Sequence, residues 1–280
     1  MPKTQPVQIT ETAYGIVKRF SVFREWLDDF KRNSGKGCID VLDYGCGTGA
    51  HLTVPLGEVA DNYLGVDLHE PSVQVAKSTN QLPNVKFSTM PLSRFVDGGE
   101  KYEAVICSEV LEHSENPEEI LENLYKLLLP GGIALISVPN GYGNFEKLRS
   151  FENFLNKIGI GTVIHFLRRV VRHLKQGLKV SQNQENGIVA PVNRDFGGSF
   201  NLDDGHVQFF RLNEIRALFV AAGYEELECR GRTILCGPYV DELFYYNPFR
   251  NLIYQVNNRL ADILPHTMAA DWMFLLRRPN

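Results

Sequence analysis

The sequence predicts an α/β fold, a doubly wound and mostly parallel sheet buried between two layers of helices. Three observations predict it. From residue 38 to about 139, short apolar runs alternate with segments of helical periodicity, the signature of βαβ units. The runs are apolar nearly throughout, as in strands covered on both faces. The first run ends in the glycine-rich turn Gly45-Cys46-Gly47-Thr48-Gly49, and in open α/β sheets that edge holds the ligand crevice.

The elements follow in order. Residues 11–33 read as an amphipathic helix, because Ile16, Phe20, Phe23, Trp26, Leu27 and Phe30 recur at helical spacing. Strands are expected at 38–45, 62–68, 84–89, 102–108 and 133–139. Pro71 suits the first turn of the helix after the second strand. Residues 117–129 form a helix burying Ile120, Leu121, Leu124 and Leu127 to Leu129, and Pro130, Gly131 and Gly132 stop it. Residues 141–205 break the alternation and read as a helical insertion after strand five, a lid over the site. The alternation resumes with a helix at 211–223, the stretch 224–235 and a last strand at 271–278. The Tyr- and Phe-rich segment 236–270 packs over the sheet. Residues 1–280 therefore make one domain.

Within the insertion, 161–180 is basic and amphipathic. Val163, Leu167, Val170, Leu174 and Leu178 share a stripe opposite Arg168, Arg169, Arg172, Lys175 and Lys179. Such a segment can pack on the domain as a lid or lie peripherally on an anionic membrane.

A hydrophobic content of 44% with 22% charged residues supports a buried core. A net charge of -4 argues against DNA as a partner, since dedicated nucleic-acid binders are strongly basic. None of the five cysteines forms a CxxC pair, so free thiols and a cytoplasmic setting are expected. Cys38, Cys46 and Cys107 lie in or beside apolar runs and are expected to be buried. The first residues lack an apolar leader core, and no apolar run reaches the ~20 residues of a membrane span.

The ligand can be argued from charge. Gly45, Gly47 and Ala50 satisfy the loose dinucleotide pattern, which alone is weak. Asp67 ends the second strand, placed to accept hydrogen bonds from ribose hydroxyls. Asp43 lies two positions before the glycines, where a carboxylate would oppose a pyrophosphate. The same charge suits S-adenosylmethionine, whose sulfonium and ammonium groups are cationic. At ~4 Å and an effective dielectric of ~20 that contact is worth about 4 kcal/mol before desolvation.

Val41 to Gly49 (VLDYGCGTG) resembles the first motif of class I S-adenosylmethionine-dependent methyltransferases. YLGVDL, EAVICSEVLEH, LLPGGIALISVPN and HVQFFRLNEIRALFVAAGY resemble later motifs of that family. The resemblance covers about 38–140 and 205–235. It implies a Rossmann-like, seven-stranded sheet of order 3-2-1-4-5-7-6 with the seventh strand antiparallel. It implies that Asp43, Gly45, Cys46 and Gly47 hold the methionine part, that Asp67 binds the ribose and that Leu68 packs on adenine. Thr89 and Met90 would flank the adenine, although the acid that many relatives carry near that point is missing. Ser108 and Glu109 would lie beside the methionine and the transferable methyl.

Glu109, Glu112 and His113 follow the fourth strand, and on a helical turn Glu109 would share a face with the other two. His206 comes far later. Three readings stand. Glu109 orders the cofactor loop while the others cap or pair. Alternatively His113 or His206 is a general base. Or Glu109, Glu112, His113 and His206 bind Mg²⁺, Mn²⁺ or Zn²⁺. The last resembles the E-x-x-E-H plus distant His of small-RNA 2′-O-methyltransferases, and a pattern in ubiquinone-pathway O-methyltransferases.

The expected activity is methyl transfer to a small or lipid-linked acceptor at oxygen. The alternatives are a non-catalytic cofactor-binding module, a nicotinamide oxidoreductase and a metal-dependent RNA 2′-O-methyltransferase.

Overall fold

A computed structural model describes residues 9–35, 37–143, 154, 157, 206–237, 240, 244 and 247–280. Segment 161–180, nearly all of the insertion and part of 236–270 lie outside the described residues.

In chain order the elements are α1 (Ile16–Asn33), β1 (Asp40–Tyr44), α2 (Thr53–Leu56), β2 (Asn62–Val66), α3 (Glu70–Thr79), β3 (Val85–Ser88), α4 (Leu92–Asp97) and β4 (Tyr102–Ser108). They continue with a 3-10 turn (Leu111–His113), α5 (Pro117–Leu127), β5 (Leu128–Pro139), α6 (Leu212–Ala221), β6 (Glu225–Gly231), α7 (Arg250–Ile263), a 3-10 turn (His266–Met268) and β7 (Asp271–Arg277). The seven strands form one sheet of order β3-β2-β1-β4-β5-β7-β6. β1 to β5 pair in parallel, and β7 runs antiparallel to both β5 and β6. The expected architecture is the observed one.

The strand runs are apolar on both faces because both faces are covered. Val41, Ala104, Ile106 and Leu135 face a core closed by Phe23, Trp26 and Leu27 of α1. Leu42, Val105, Cys107 and Ile136 face the opposite core, closed by Leu121, Leu124, Ile215 and Phe219 of α5 and α6.

Three local expectations change. The first helix begins at Ile16 rather than 11. Gly15 turns the chain with φ +63°, and the Glu11 carboxylate folds back to accept Val17 and Lys18 N–H at 3.1 and 3.2 Å. A negative group at a helix N-terminus is favourable. β5 begins at Leu128, so Pro130, Gly131 and Gly132 form an irregularity within the strand; Gly131 has φ +74°, and pairing with β4 shifts register there. Cys38 is exposed because β1 starts only at Asp40, and Cys46, in the turn after β1, is half-buried; Cys107 alone of these three is buried.

Candidate active site

The parallel strands end at one edge, marked by Tyr44, Val66, Ser88, Ser108 and Pro139. There β1 turns back through glycines at positive φ: +78° at Gly45, +55° at Gly47 and +71° at Gly49. L side chains rarely adopt that region. A Cβ on Gly45 would also lie 2.2 Å from Val110 Cγ2, so the glycine lets the loop after β4 approach. Gly45 and Cys46 both donate backbone N–H to Val66 O, at 2.7 and 3.1 Å.

Asp67 is fixed by backbone alone. Its Oδ2 accepts Gly47 N–H and its Oδ1 accepts His69 N–H, each at 2.8 Å. A carboxylate has about four lone-pair positions, so each oxygen can accept one more donor. Leu68 beside it is exposed, as are Thr89 and Met90 at the end of β3. Met90 N–H is taken by Ser88 Oγ at 3.1 Å. Cys46 turns its thiol inward: a Cβ on Gly65 would stand 3.0 Å from Sγ, and burial pushes the thiol pKa up.

Asp43 sits deeper, at 2% exposure. Its Oδ2 accepts Thr53 Oγ1–H at 2.7 Å and Tyr63 O–H at 3.5 Å. Burial raises its pKa to about 7, opposed by the Thr53 hydrogen bond and the nearby Arg19 guanidinium.

Past β4 the holding is done by side chains. Glu109 has φ +58°, a region costing a non-glycine residue about 1–3 kcal/mol. It is held there by a chain of polar contacts. Arg19 of α1 donates to Ser108 Oγ at 3.1 Å, and Ser108 and Ser137 hydroxyls lie 2.7 Å apart. Ser137 donates to Glu109 Oε1 at 2.7 Å, and Arg232 Nη2 contacts Glu109 Oε2 at 3.1 Å. Arg232 also grips Asp271 at 2.9 and 3.2 Å. Arg232 and Asp271 are 4% and 3% exposed. The neighbouring arginines hold the Glu109 pKa below its ordinary value although burial pushes it up. Arg19 Nε is buried without a partner.

Glu109 therefore does not share a helical face with Glu112 and His113, because the turn starts only at Leu111. The expected four-residue metal set shrinks to three. Ligand atoms of Glu112, His113 and His206 lie within 4.8 Å of one another. Backbone explains how the distant histidine arrives: Val207 and Gln208 N–H both donate to Glu112 O, at 2.8 and 3.0 Å. The two imidazole rings stand edge to face at 5.3 Å, and Phe209 packs on His206 at 6.1 Å. Glu112 is 1% exposed with Oε2 unpartnered. Burial, aided by the Glu109 charge, pushes its pKa well up.

Arg19, Ser137, Arg232 and Asp271 were missed in the sequence. Arg19 reads as the polar side of an amphipathic helix. Arg232 and Asp271 flank apolar stretches at strand ends, a weak signal that a buried ion pair shares with ordinary strand boundaries.

The comparisons agree with this geometry. The profile of a methyltransferase domain matches residues 18–228. The chain belongs to the methyltransferase-domain family, in its class I, S-adenosylmethionine-dependent form. Among its relatives is the ubiquinone biosynthesis O-methyltransferase of Rickettsia conorii. It is 32% identical over 103 residues, 36% of this chain and 35% of that protein. The enzyme of the same name from Coxiella burnetii is 28% identical over 145 residues, 51% and 58% of the two chains. The matched stretch thus spans about a third to three fifths of these relatives. In structure, the plantazolicin methyltransferase BpumL with S-adenosylhomocysteine superposes at TM-score 0.52 and 16% identity, covering 95% of this chain and 85% of that one. The YcgJ protein of Bacillus subtilis superposes at 0.51 and 14% identity, covering 94% and 99%. At these identities the likeness is one of fold.

Proposed function

We propose that the protein methylates a hydroxyl group of a small acceptor, lipid-linked acceptors included, using S-adenosylmethionine. The acceptor oxygen attacks the methyl carbon, the carbon–sulfur bond breaks, and S-adenosylhomocysteine leaves with the sulfur lone pair. The hydroxyl proton passes to a base. Most of the catalysis is alignment and exclusion of water.

The observation that carries the oxygen preference is the cluster of Glu112, His113 and His206 at the edge that holds the glycine loop. A hydroxyl is a poor nucleophile until its proton is taken, and an imidazole suits that step near neutral pH. Asp67 accepts the ribose hydroxyls with its remaining lone pairs. Asp43 and the glycine loop would receive the cationic methionine part, and Arg19 Nε, buried without a partner, would be available to its carboxylate. Leu68 and Met90 flank the adenine. Glu109, fixed by Arg232, orders the loop above the methyl.

The same three side chains fit a divalent cation. A buried carboxylate oxygen without a hydrogen-bond partner is costly, and Glu112 Oε2 is one. Two imidazoles and one carboxylate match a zinc-like donor set better than the all-oxygen shell of Mg²⁺. Glu112, His113 and His206 would hold the ion, which would lower the pKa of the acceptor hydroxyl.

The test is a methyl-transfer screen over hydroxylated aromatics, sugars and lipid-linked glycans, with calorimetry for the cofactor. The double variant His113→Ala/His206→Ala is expected to bind S-adenosylhomocysteine normally while turnover falls at least ~100-fold. Unchanged turnover would refute the oxygen assignment. Binding of NAD in place of S-adenosylhomocysteine would refute the methyl-donor assignment. Chelation followed by metal add-back separates the two roles of the cluster: loss and recovery indicate the ion, indifference indicates the imidazole base.

A further inference from the structure

Two segments distant in sequence meet beside the cluster of Glu112, His113 and His206. One is the turn after β5, residues 140–142. The other runs from His206 to Arg211, the residue just before α6. Gly141 donates its N–H to Phe210 O at 3.1 Å. A Cβ on Gly141 would stand 2.6 Å from Phe209 Cα, so the approach needs a glycine. It sets Tyr142 against Arg211, whose guanidinium carbon lies 4.2 Å from the centre of the Tyr142 ring. Tyr142 is itself held in place. Its N–H is taken by Asn140 Oδ1 at 3.2 Å, and the buried Asn140 amide donates to Thr267 O and Ala269 O at 3.1 and 2.9 Å.

Arg211 is not explained by the helix it precedes. That position favours Ser, Thr, Asp and Asn, whose side-chain oxygens accept orphan N–H groups. A guanidinium has no acceptor, and a cation is disfavoured at the positive end of a helix. The bond that ties Arg211 to the first turn, its N–H to Glu214 Oε2 at 2.8 Å, comes from backbone and would serve any residue except proline. A residue that breaks a local rule in this way points to function. Glu214 Oε1 also takes one Nη1 hydrogen, at 3.4 Å. A guanidinium carries five donors in a fixed fork, and among the described residues no hydrogen bond engages its Nε and Nη2 side. Tyr142 and Phe209 are 50% and 45% exposed, and the Arg211 side chain is exposed too.

We propose that Arg211, stacked on Tyr142, is a specificity residue that binds an anionic group, carboxylate or phosphate, on the acceptor. The planar fork pairs with either group in a bidentate manner, and the stack fixes its plane before the ligand arrives. The reacting end is close. Phe209 packs on His206 at 6.1 Å, and the five residues from His206 to Arg211 span at most roughly 17 Å. A small acceptor fits that gap, with its acid at Arg211, its body along Phe209 and its hydroxyl at the imidazoles. The proposal rests on the hydroxyl-methylation reading above and narrows it to acidic acceptors.

Steady-state methyl transfer with matched acceptors tests it. Caffeate is compared with its methyl ester for the carboxylate, and glucose 6-phosphate with glucose for the phosphate. The wild-type chain is expected to prefer at least one anion over its neutral counterpart by ~10-fold or more in kcat/KM. Arg211→Met is expected to abolish that preference, the loss falling on KM rather than kcat, because the contact is made equally in ground and transition states. Arg211→Lys keeps the charge without the fork and is expected to restore part of it. Tyr142→Leu, which releases the guanidinium plane, is expected to lose part of it. Thermal melting checks that the fold persists, and Arg211→Gln replaces Arg211→Met if the latter does not fold. A wild type indifferent to the acid, or a preference that survives Arg211→Met, overturns the proposal and leaves the hydroxyl reading standing. If no acceptor of either pair is methylated, the failure lies with the hydroxyl reading, and calorimetry on the S-adenosylhomocysteine complex decides the subsite. Caffeate or glucose 6-phosphate bound by the wild type, and at least ~10-fold more weakly by Arg211→Met, supports it. Equal binding, or none by the wild type, overturns it.

Discussion

Asp67 and Glu109 are both acids at the active edge, and they are held in opposite ways. Asp67 is gripped by two backbone N–H groups, from residues 20 and 2 positions away. Glu109 is gripped by the side chains of Ser137 and Arg232, 28 and 123 positions away. The first arrangement follows from a glycine turn and a strand end, so any sequence that builds the turn builds the site. The second exists only once β4, β5 and the end of β6 have met. One half of the crevice is a local structure, the other a product of the whole sheet.

The largest expected consequence is in stability. Arg232→Met would leave Asp271 buried, and Glu109 partly buried, without their cation. Breaking a buried ion pair from one side costs about 3–5 kcal/mol. In a domain of this size that lowers the melting temperature by on the order of 10 °C. Thermal unfolding of Arg232→Met beside Asp67→Asn checks the contrast. An Asp67 variant that melts lower than the Arg232 variant would break it.

Asp67→Asn is expected to act on the cofactor. The amide can accept on one side only, so its NH₂ faces Gly47 or His69 N–H. Hydrogen bonds to a charged group are worth about 1.5–3 kcal/mol, and affinity for S-adenosylhomocysteine should fall roughly 10- to 100-fold. Calorimetry reads this directly. A loss below threefold would show that the glycine loop alone holds the cofactor.

The contrast explains what could be read beforehand. The strand alternation, the glycine turn and Asp67 are local patterns, and they yielded the sheet and the backbone-held carboxylate at its edge. The sheet order was available through family resemblance only. Glu109 was expected with Glu112 and His113 because spacing alone allows a helical turn. A positive φ at Glu109 and a partner 123 residues away leave no local trace. His206 could be proposed from resemblance, yet its arrival depends on two backbone bonds to Glu112 O.

The smallest effect tests Asp43, which belongs to the local half but is buried like the distant one. Its pKa is raised to about 7 from 3.8. Between those values the folded chain holds a proton that the unfolded chain has released. Stability contributed by this group therefore falls as pH rises from about 4 to 7, the reverse of a salt-bridged carboxylate. A cationic ligand favours the ionised form, so cofactor binding near pH 6 should expel part of one proton. Calorimetry in buffers of differing ionisation enthalpy measures that release. It should vanish in Asp43→Asn and shrink toward pH 9. Equal proton release from the wild type and the variant would mean that the methionine part meets some other acid, and Glu109 would then be the side chain to examine.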